Sequence, residues 1–224
     1  MGRTRSGAGD ARSTGPDGAP PRARRFAVVL AAGEGRRFGA AKQLAQLDGR
    51  PLLRHAIDAV APRSDVDGTV VVLGAHAPAI VDAVDLDDVS VVHCEAWRSG
   101  PSASLATGLD AALRLGATEV LITLGDQPLL RAATVDRVLS RPGAVVRAVH
   151  DDRPGHPVLL RGAAIGRVAA LGDDDRRAFL ARSAVRVPVG DVDAGTDVDR
   201  PGDLAALERT SAEGPRGGER APRP

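Results

Sequence analysis

Residues 26–42 read FAVVLAAGEGRRFGAAK, an apolar run that passes directly into a glycine-rich loop. Residues 27–32 have the continuous small and β-branched character of a strand that is covered on both faces, as in a parallel sheet. The loop glycines allow backbone amides to converge on an anion, and Arg36, Arg37 and Lys42 add mobile positive charge. This combination suits a free nucleoside triphosphate and predicts nucleotidyl or phosphoryl transfer.

Two other glycine-loop motifs do not fit this spacing. The dinucleotide-binding fingerprint requires its third glycine where Phe38 stands. A P-loop requires a glycine at that same position and a Ser or Thr after its lysine, whereas Gln43 follows Lys42. The remaining alternative is a tight strand-to-helix connection, in which the glycines serve only the turn and the arginines only solubility.

Composition narrows the class of protein. The 224 residues are 43% hydrophobic but only 2% aromatic, which predicts one domain with an aliphatic core. A formal net charge of +1 provides no overall field to hold nucleic acid or an anionic membrane. A single cysteine, Cys94, excludes an intrachain disulfide framework, and no apolar run approaches the roughly 18 residues of a membrane span. We therefore expect a cytoplasmic protein without nucleic-acid or membrane partners.

The two ends of the chain differ in composition from its middle. Residues 1–24 are rich in Gly, Arg, Ser and Pro and lack the apolar core of a signal peptide. Residues 210–224 repeat this composition, which cannot bury enough apolar surface to offset the entropy of ordering. We predict disordered tails at 1–24 and 210–224 around one domain at 25–209. Contact of the basic tails with nucleic acid is the alternative.

Strand-like and helix-like segments alternate along this domain. After the first strand, the strand-like runs are 69–73, 89–93, 119–124, 144–149 and 185–189. The helix-like segments are 51–60, with Pro51 at its first position, then 78–84, 102–115, 132–140, 163–171, 174–182 and 201–209. Such alternation indicates βαβ units, so we predict a three-layer α/β/α fold around a mostly parallel sheet. Because ligands bind beyond the carboxyl ends of parallel strands, loops 33–42 and 125–128 can share one crevice.

Acidic residues near this crevice suggest a metal site. Asp126 emerges directly after an apolar strand, where a carboxylate beside a triphosphate suits Mg²⁺; an Asx-turn or helix cap is the alternative. Asp197 and Asp199 lie two apart in a short extended segment, so both point to one side and either can reach the same cation. The histidines form no cluster with ligand spacing, so zinc is not expected.

Three further side chains have both a structural and a functional interpretation. Ser102 and Ser104 stand at the start of a predicted helix, where they can cap it or bind a nucleotide. His156 lies beside the strand-like run 157–160, where it serves either the structure or the binding of a substrate.

Taken together, these motifs resemble the MobA-like nucleotidyltransferase family, which includes molybdenum cofactor cytidylyltransferases and guanylyltransferases. Residues 31–42, with Leu30 before them, follow the family signature Leu-Ala-Ala-Gly-x-Gly/Ser-x-Arg-x-Gly-x-x-Lys, which places its two cations on Arg37 and Lys42. Further motifs occur in family order at 49–53, 97–109, 124–128, 155–159 and 197–203. The resemblance covers residues 26–209 and implies a Rossmann-like, glycosyltransferase-A-like fold. Residues 200–203 depart from the family pattern, reading RPGD in place of TPED.

The resemblance implies an Mg²⁺-dependent nucleotidyltransferase that moves a nucleoside monophosphate to a phosphorylated small-molecule acceptor. The motifs at 126–128 and 155–158 favour the branch that transfers CMP from CTP to molybdopterin or the molybdenum cofactor. Membership of that branch implies a molybdoenzyme or its maturation chaperone as a further partner. The alternatives are another phosphorylated acceptor, such as a sugar or alditol phosphate, and a catalytically inactive nucleotide-binding module.

The resemblance also implies roles for particular residues. Arg37, Lys42 and Asp126 are the expected catalytic residues. The expected nucleotide-binding residues are Leu30, Ala31, Ala32, Gly33, Glu34, Gly35, Arg37, Lys42, Ser102 and Ser104. Gln127 and His156 are expected at the acceptor. The metal ligand Asp126 is expected to act with Asp197 or Asp199.

Overall fold

The computed structural model describes residues 22–212, with side chains as far as Arg209. The strands are β1 (Arg25–Ala31), β2 (Gln46–Leu47), β3 (Arg50–Pro51), β4 (Gly68–Leu73), β5 (Ser90–His93), β6 (Glu119–Leu124), β7 (Val145–His150), β8 (Arg153–Arg161) and β9 (Val185–Pro188). The helices are α1 (Leu52–Asp58), α2 (Ala77–Ala83), α3 (Pro101–Arg114), α4 (Ala132–Leu139), α5 (Ala163–Ala169), α6 (Asp173–Ser183) and α7 (Pro201–Ala212), with 3-10 turns at Lys42–Leu44 and Glu95–Ser99.

Seven strands form one sheet in the order β5-β4-β1-β6-β8-β7-β9. Only β8 runs against its neighbours β6 and β7, and the other strands of this sheet share one direction. The predicted mostly parallel sheet is therefore confirmed. The short strands β2 and β3 form a separate antiparallel pair.

The connection between β7 and β8 departs from the predicted alternation of strand and helix. The chain reverses through Asp151 and Asp152 alone, and both residues have positive φ angles, 46° and 65°. Two consecutive left-handed residues match the twist of a two-residue hairpin. Asp tolerates this conformation better than most side chains, so β7 and β8 form a hairpin, and β8 is a strand that the predicted alternation did not include.

Helices cover both faces of the sheet, as predicted. Side chains of β1 alternate between the faces: Val28 packs with residues of α3 and α5, whereas Ala27 and Val29 pack with residues of α1, α2 and α4. Helix α6 lies on the first face and packs against that core through its own partly buried side chains Phe179 and Leu180.

Some local predictions at helix ends are wrong. Pro51 occupies the N-cap of α1 and not its first helical position. Helix α3 begins at Pro101 after Gly100, whose φ is 112°, and no side chain caps it; the Ser102 hydroxyl is bound elsewhere. Helix α7 continues to Ala212, three residues into the predicted C-terminal tail. The rest of the two predicted tails, apart from residues 22–24, falls outside the described residues.

Within residues 22–212, no helix combines the length and the apolar character that crossing a bilayer requires.

Candidate active site

The main cavity opens beyond the carboxyl ends of β1 and β6 and has a volume of about 550 Å³. Its walls come from the loop after β1, the start of α3, the loop after β6 and the acidic segment 197–199 before α7. The two loops that we predicted to share a crevice therefore do so. The lining residues are Leu30, Ala32, Gly33, Glu34, Gly35, Arg36, Arg37, Lys42, Trp97, Arg98, Gly100, Pro101, Ser104, Leu124, Asp126 and Asp199.

The glycine-rich loop folds back on itself through Gly35. The amides of Phe38 and Gly39 both donate hydrogen bonds of 2.9 Å to the carbonyl of Gly35. Gly35 has a φ of 71°, and a Cβ atom at this position would collide with the carbonyl oxygen of Ala40. Only glycine fits here without strain, because both the conformation and the space exclude a side chain.

Gln43 anchors the loop from beneath. Its side chain is buried, and its Nε2 donates hydrogen bonds of 2.8 Å and 2.9 Å to the carbonyls of Ala31 and Gly33. On the outer side, Nε2 of His76 lies 2.9 Å from the carbonyl of Glu34. We did not predict either anchor, since nothing in the sequence pattern separates Gln43 or His76 from other polar residues.

These anchors bind carbonyl groups of the loop, so the amide groups of the loop stay available to a ligand. Within the described part of the chain, the backbone amides of Gly33, Glu34, Gly35, Arg36 and Arg37 donate no hydrogen bond. Amides that face a cavity without acceptors favour an anionic ligand. The loop therefore has the backbone features of an anion site.

The three cations of the loop differ in position. Arg36 points to solvent and pairs with Glu34 at 2.6 Å. The guanidinium of Arg37 donates a 2.7 Å hydrogen bond to Asp199. Lys42 is largely buried, binds Asp126, and lies 3.2 Å from Asp199. Arg37, Lys42 and Asp126 thus meet around one cavity.

The acidic segment before α7 is fixed beside Asp126 by its backbone. The amide of Val198 donates a 2.9 Å hydrogen bond to the carbonyl of Asp126, and the Val198 side chain is fully buried. Because side chains alternate along an extended chain, Asp197 and Asp199 project away from Val198. Asp203 then accepts hydrogen bonds from the amides of Asp199 and Arg200, at 2.9 Å and 2.8 Å, which fixes the end of the segment.

Burial and mutual repulsion act on the charges of this cluster. Burial disfavours the ammonium of Lys42, but the nearby carboxylates of Asp126 and Asp199 outweigh burial and raise the pKa of Lys42 above its usual range. Burial, followed by the charge of Asp126, raises the pKa of Asp197. Asp197 also accepts a 2.7 Å hydrogen bond from Gln127. The site therefore concentrates more negative charge than its one buried ammonium balances.

Oxygen atoms in this cluster suit a divalent metal ion. Within residues 22–212, no group of three His, Cys, Asp or Glu side chains is arranged to hold a metal by itself. Mg²⁺ does not need such a group, because it commonly binds one or two carboxylates and completes its octahedron with phosphates and water. Oδ1 of Asp126 is buried without a hydrogen-bond partner, and Asp199 shares its lysine. The residues present fit a metal that is shared with a triphosphate.

Several predicted site residues lie outside the main cavity. Ala31 is buried behind the loop. Ser102 donates a 2.6 Å hydrogen bond to Asp173 on α6 and accepts one from Arg176, so its hydroxyl is directed away from the loop. Gln127 reaches the site only through Asp197, and His156 lines a neighbouring cavity.

The lining of the main cavity also includes the aromatic side chain of Trp97. The guanidinium of Arg98 stacks over this ring at 4.3 Å, and Ser104 lies nearby in the first turn of α3. Ser104, which we predicted as a nucleotide-binding residue, thus lines the main cavity; no residue pattern indicated the stacked pair.

Residues 27–187 match the family model of the MobA-like NTP transferase domain. The chain is 33% identical to nicotine blue oxidoreductase of Paenarthrobacter nicotinovorans over 77% of this chain and 90% of that protein. It is 30% identical to molybdenum cofactor guanylyltransferase of Rhodobacter capsulatus over 81% of this chain and 93% of that protein. It is also 33% identical to the bifunctional protein GlmU of Chromohalobacter salexigens, but spans only 41% of its length.

Among solved structures, the chain is similar to Rv0371c of Mycobacterium tuberculosis H37Rv in its complex with manganese, with 27% identity and a TM-score of 0.65 over 84% of this chain and 99% of that one. This likeness agrees with the predicted nucleotidyltransferase fold. The chain therefore belongs to the MobA-like NTP transferase family of nucleotidyltransferases.

Proposed function

We propose that this protein transfers a nucleoside monophosphate, CMP from CTP in the leading case, to a phosphorylated acceptor of the molybdopterin type. The observation that carries the proposal is the convergence of unpaired loop amides, Arg37 and Lys42 with the carboxylates of Asp126 and Asp199 around one cavity. Cations and amides suit the triphosphate, and carboxylates suit the metal that accompanies it.

In the proposed reaction, an oxygen of the acceptor phosphate forms a bond to the α-phosphorus of the triphosphate. The bond from the α-phosphorus to the bridging oxygen breaks, and pyrophosphate leaves with the electron pair. No covalent enzyme intermediate is needed, so catalysis consists of positioning and electrostatic stabilisation.

Each part of the site has a role in that scheme. Loop amides from Gly33 to Arg37 bind the β- and γ-phosphates together with the Arg37 guanidinium. Lys42 stabilises the charge that develops at the α-phosphate. Asp126 with Asp197 or Asp199 would hold Mg²⁺, which would neutralise charge on phosphate oxygens when bound. Gln127 positions Asp197 for this task.

The base and the acceptor are the specific parts of the proposal. One test incubates the purified protein with CTP, GTP, ATP and UTP, Mg²⁺, and a panel of molybdopterin, sugar phosphates and alditol phosphates. Mass spectrometry then identifies the nucleotide joined to each acceptor. Cytidylylated molybdopterin supports the proposal, and a nucleotidylated sugar or alditol phosphate replaces it. Triphosphate binding without any product points to an inactive binding module.

A redox reaction is the second candidate, because the relative from Paenarthrobacter nicotinovorans is named an oxidoreductase and resembles this chain over 90% of its length. A redox reaction requires an electron donor, such as a reduced nicotinamide dinucleotide, and releases no pyrophosphate. Oxidation of that donor in the presence of nicotine blue, independent of Mg²⁺ and of any triphosphate, favours this candidate over nucleotidyl transfer.

A further inference from the structure

A second cavity of about 210 Å³ adjoins the main cavity, and we call it the apolar cavity. It lies between the sheet and α6, and Leu30, Pro101 and Leu124 line both cavities. A ligand in the apolar cavity is therefore a direct neighbour of one in the main cavity. Its remaining apolar walls include Leu105, Ile122, Val158 and Leu180.

The apolar cavity contains a guanidinium that lacks an acidic partner. Arg147 of β7 is paired in register with Val158 of β8. Its Nε and Nη2 donate hydrogen bonds of 3.1 Å and 3.3 Å to the carbonyls of Gly155 and Pro154. No carboxylate within residues 22–212 forms an ion pair with it. The two carbonyls orient the guanidinium without neutralising it.

Each of the other two arginines that line the apolar cavity has an acidic partner, and one of these partners, Asp173, also lines the cavity. Arg176 pairs with Asp173 at 2.5 Å, and Arg177 pairs with Asp174 at 3.2 Å. Arg147 is thus the lining cation whose charge is not met by the protein. Placing an unpaired charge among apolar side chains is costly, and burial, together with Arg186, lowers the pKa of Arg147.

His156 does not share this charge. Burial, followed by the neighbouring Arg147, lowers the pKa of His156 to about 3. The imidazole is therefore neutral near pH 7 and offers one donor and one acceptor, or a flat surface, to a ligand. Among the described residues that line the apolar cavity, Arg147 is therefore the cation without a carboxylate partner.

We propose that the apolar cavity holds the body of the acceptor, and that Arg147 binds an anionic group of the acceptor other than the phosphate that attacks the nucleotide. The expected ligand class is a small molecule with a flat or aliphatic body and an acidic substituent. This inference rests on the proposed function for the identity of the ligand as an acceptor. The predicted preference of the cavity for an anionic ligand is independent of the proposed function, because it follows from the apolar walls and the unpaired guanidinium.

The test measures binding without turnover. Pterin-6-carboxylate and 6-methylpterin share a flat fluorescent ring, but only the first carries an anionic group. Fluorescence titration of both probes against the wild-type protein and Arg147→Met therefore isolates the contribution of the ion pair between Arg147 and the carboxylate. A charge-assisted hydrogen bond predicts that the wild type prefers the carboxylate by about 10- to 100-fold. Arg147→Met should bind both probes within about threefold of each other.

Two further variants complete the comparison. Arg186→Met is the matched control: Arg186 lies next to Arg147 in register but does not line the apolar cavity, so the preference for the carboxylate should persist. Leu180→Trp fills the cavity and should weaken both probes at least tenfold. If Arg147→Met does not fold, as judged by circular dichroism, Leu180→Trp and the wild-type preference decide the question.

The inference is overturned if the wild type binds neither probe, or binds both equally, or if Leu180→Trp changes neither affinity. Failure of the proposed function gives a different result. In that case the probe preference holds and Arg147→Met abolishes it, yet the wild-type protein releases no pyrophosphate with any acceptor. Calorimetry of Mg²⁺-CTP binding, which should be the same in wild type and Arg147→Met, shows that the main cavity is intact in both.

Discussion

Arg37 donates a 2.7 Å hydrogen bond to Asp199, so a proposed phosphate ligand and a proposed metal ligand neutralise each other. Lys42 binds Asp126 and Asp199 in the same manner. Without a substrate, the cations and carboxylates of the site thus partly neutralise one another. A triphosphate that attracts the two cations releases carboxylates, and a metal that binds the carboxylates releases cations.

This exchange of partners predicts that metal and triphosphate bind cooperatively. The affinity for Mn²⁺, measured by calorimetry, should rise at least tenfold when a non-hydrolysable CTP analogue is present, which corresponds to a coupling free energy of about 1.4 kcal/mol or more. By reciprocity, Mn²⁺ should raise the affinity for the analogue by the same factor. Equal Mn²⁺ affinities with and without the analogue would show that the ion pairs within the site are not exchanged for contacts with the ligands.

Removal of charge at Lys42 or Asp126 should abolish most activity while the fold persists. Lys42→Ala and Asp126→Ala are each expected to lower turnover by about 10²- to 10³-fold, because each removes a preorganised charge at the reacting phosphates. Arg114→Ala, an exposed change at the end of α3, serves as the control with normal activity. Near-normal pyrophosphate release by either variant, at an unchanged unfolding midpoint, contradicts its catalytic role.

Loss of the Gln43 anchor should affect the loop and the stability together. Gln43→Ala removes two buried hydrogen bonds to loop carbonyls, which should lower the free energy of unfolding by about 1–3 kcal/mol. The KM for the triphosphate should rise as the loop amides lose their alignment. Gln46→Ala is the matched control, since the exposed Gln46 bonds only to a nearby carbonyl. Urea unfolding and steady-state kinetics check both effects; a wild-type KM in Gln43→Ala would refute the anchoring role.

His156 should make the protein less stable in mild acid. Its pKa is lowered from 6.5 to about 3 in the folded protein, first by burial and then by Arg147. Between these two values the unfolded chain binds the proton and the folded chain does not, so stability falls as the pH drops below about 6.5. This group contributes about 1.4 kcal/mol per pH unit across that window.

Urea unfolding of wild type and His156→Gln between pH 7 and pH 4 isolates this contribution. The wild-type curve should be steeper, and the difference between the two proteins should shrink steadily with acidification. Parallel curves would mean that His156 titrates normally in the folded state.

The sequence was most informative where a pattern extended over many residues. Apolar runs located β1, β4 and β6 to within two residues, since a buried parallel strand is apolar along most of its length. The spacing of two residues predicts that Asp197 and Asp199 lie on one side of the chain; in the structure Asp199 lines the main cavity and binds Arg37, whereas Asp197 accepts a hydrogen bond from Gln127. The buried Val198 between them, which aligns the segment with Asp126, could not be distinguished from any other valine.

Single polar side chains were harder to assign. Ser102 has the sequence position of a cap, yet its hydroxyl binds Asp173 because α6 folds over the start of α3. Gln43, His76 and Arg147 act through contacts with carbonyls that are distant in sequence or that depend on the β7–β8 hairpin. Such contacts follow from tertiary packing, which local spacing does not encode.

The most direct test of the central claim is a crystal structure of the protein with a non-hydrolysable CTP analogue and Mg²⁺. We predict that the triphosphate fills the main cavity, with loop amides, Arg37 and Lys42 on its phosphate oxygens and Asp126 on the metal. A triphosphate bound elsewhere, or bound here with Lys42 still paired to Asp126 and no metal between carboxylate and phosphate, would contradict the account.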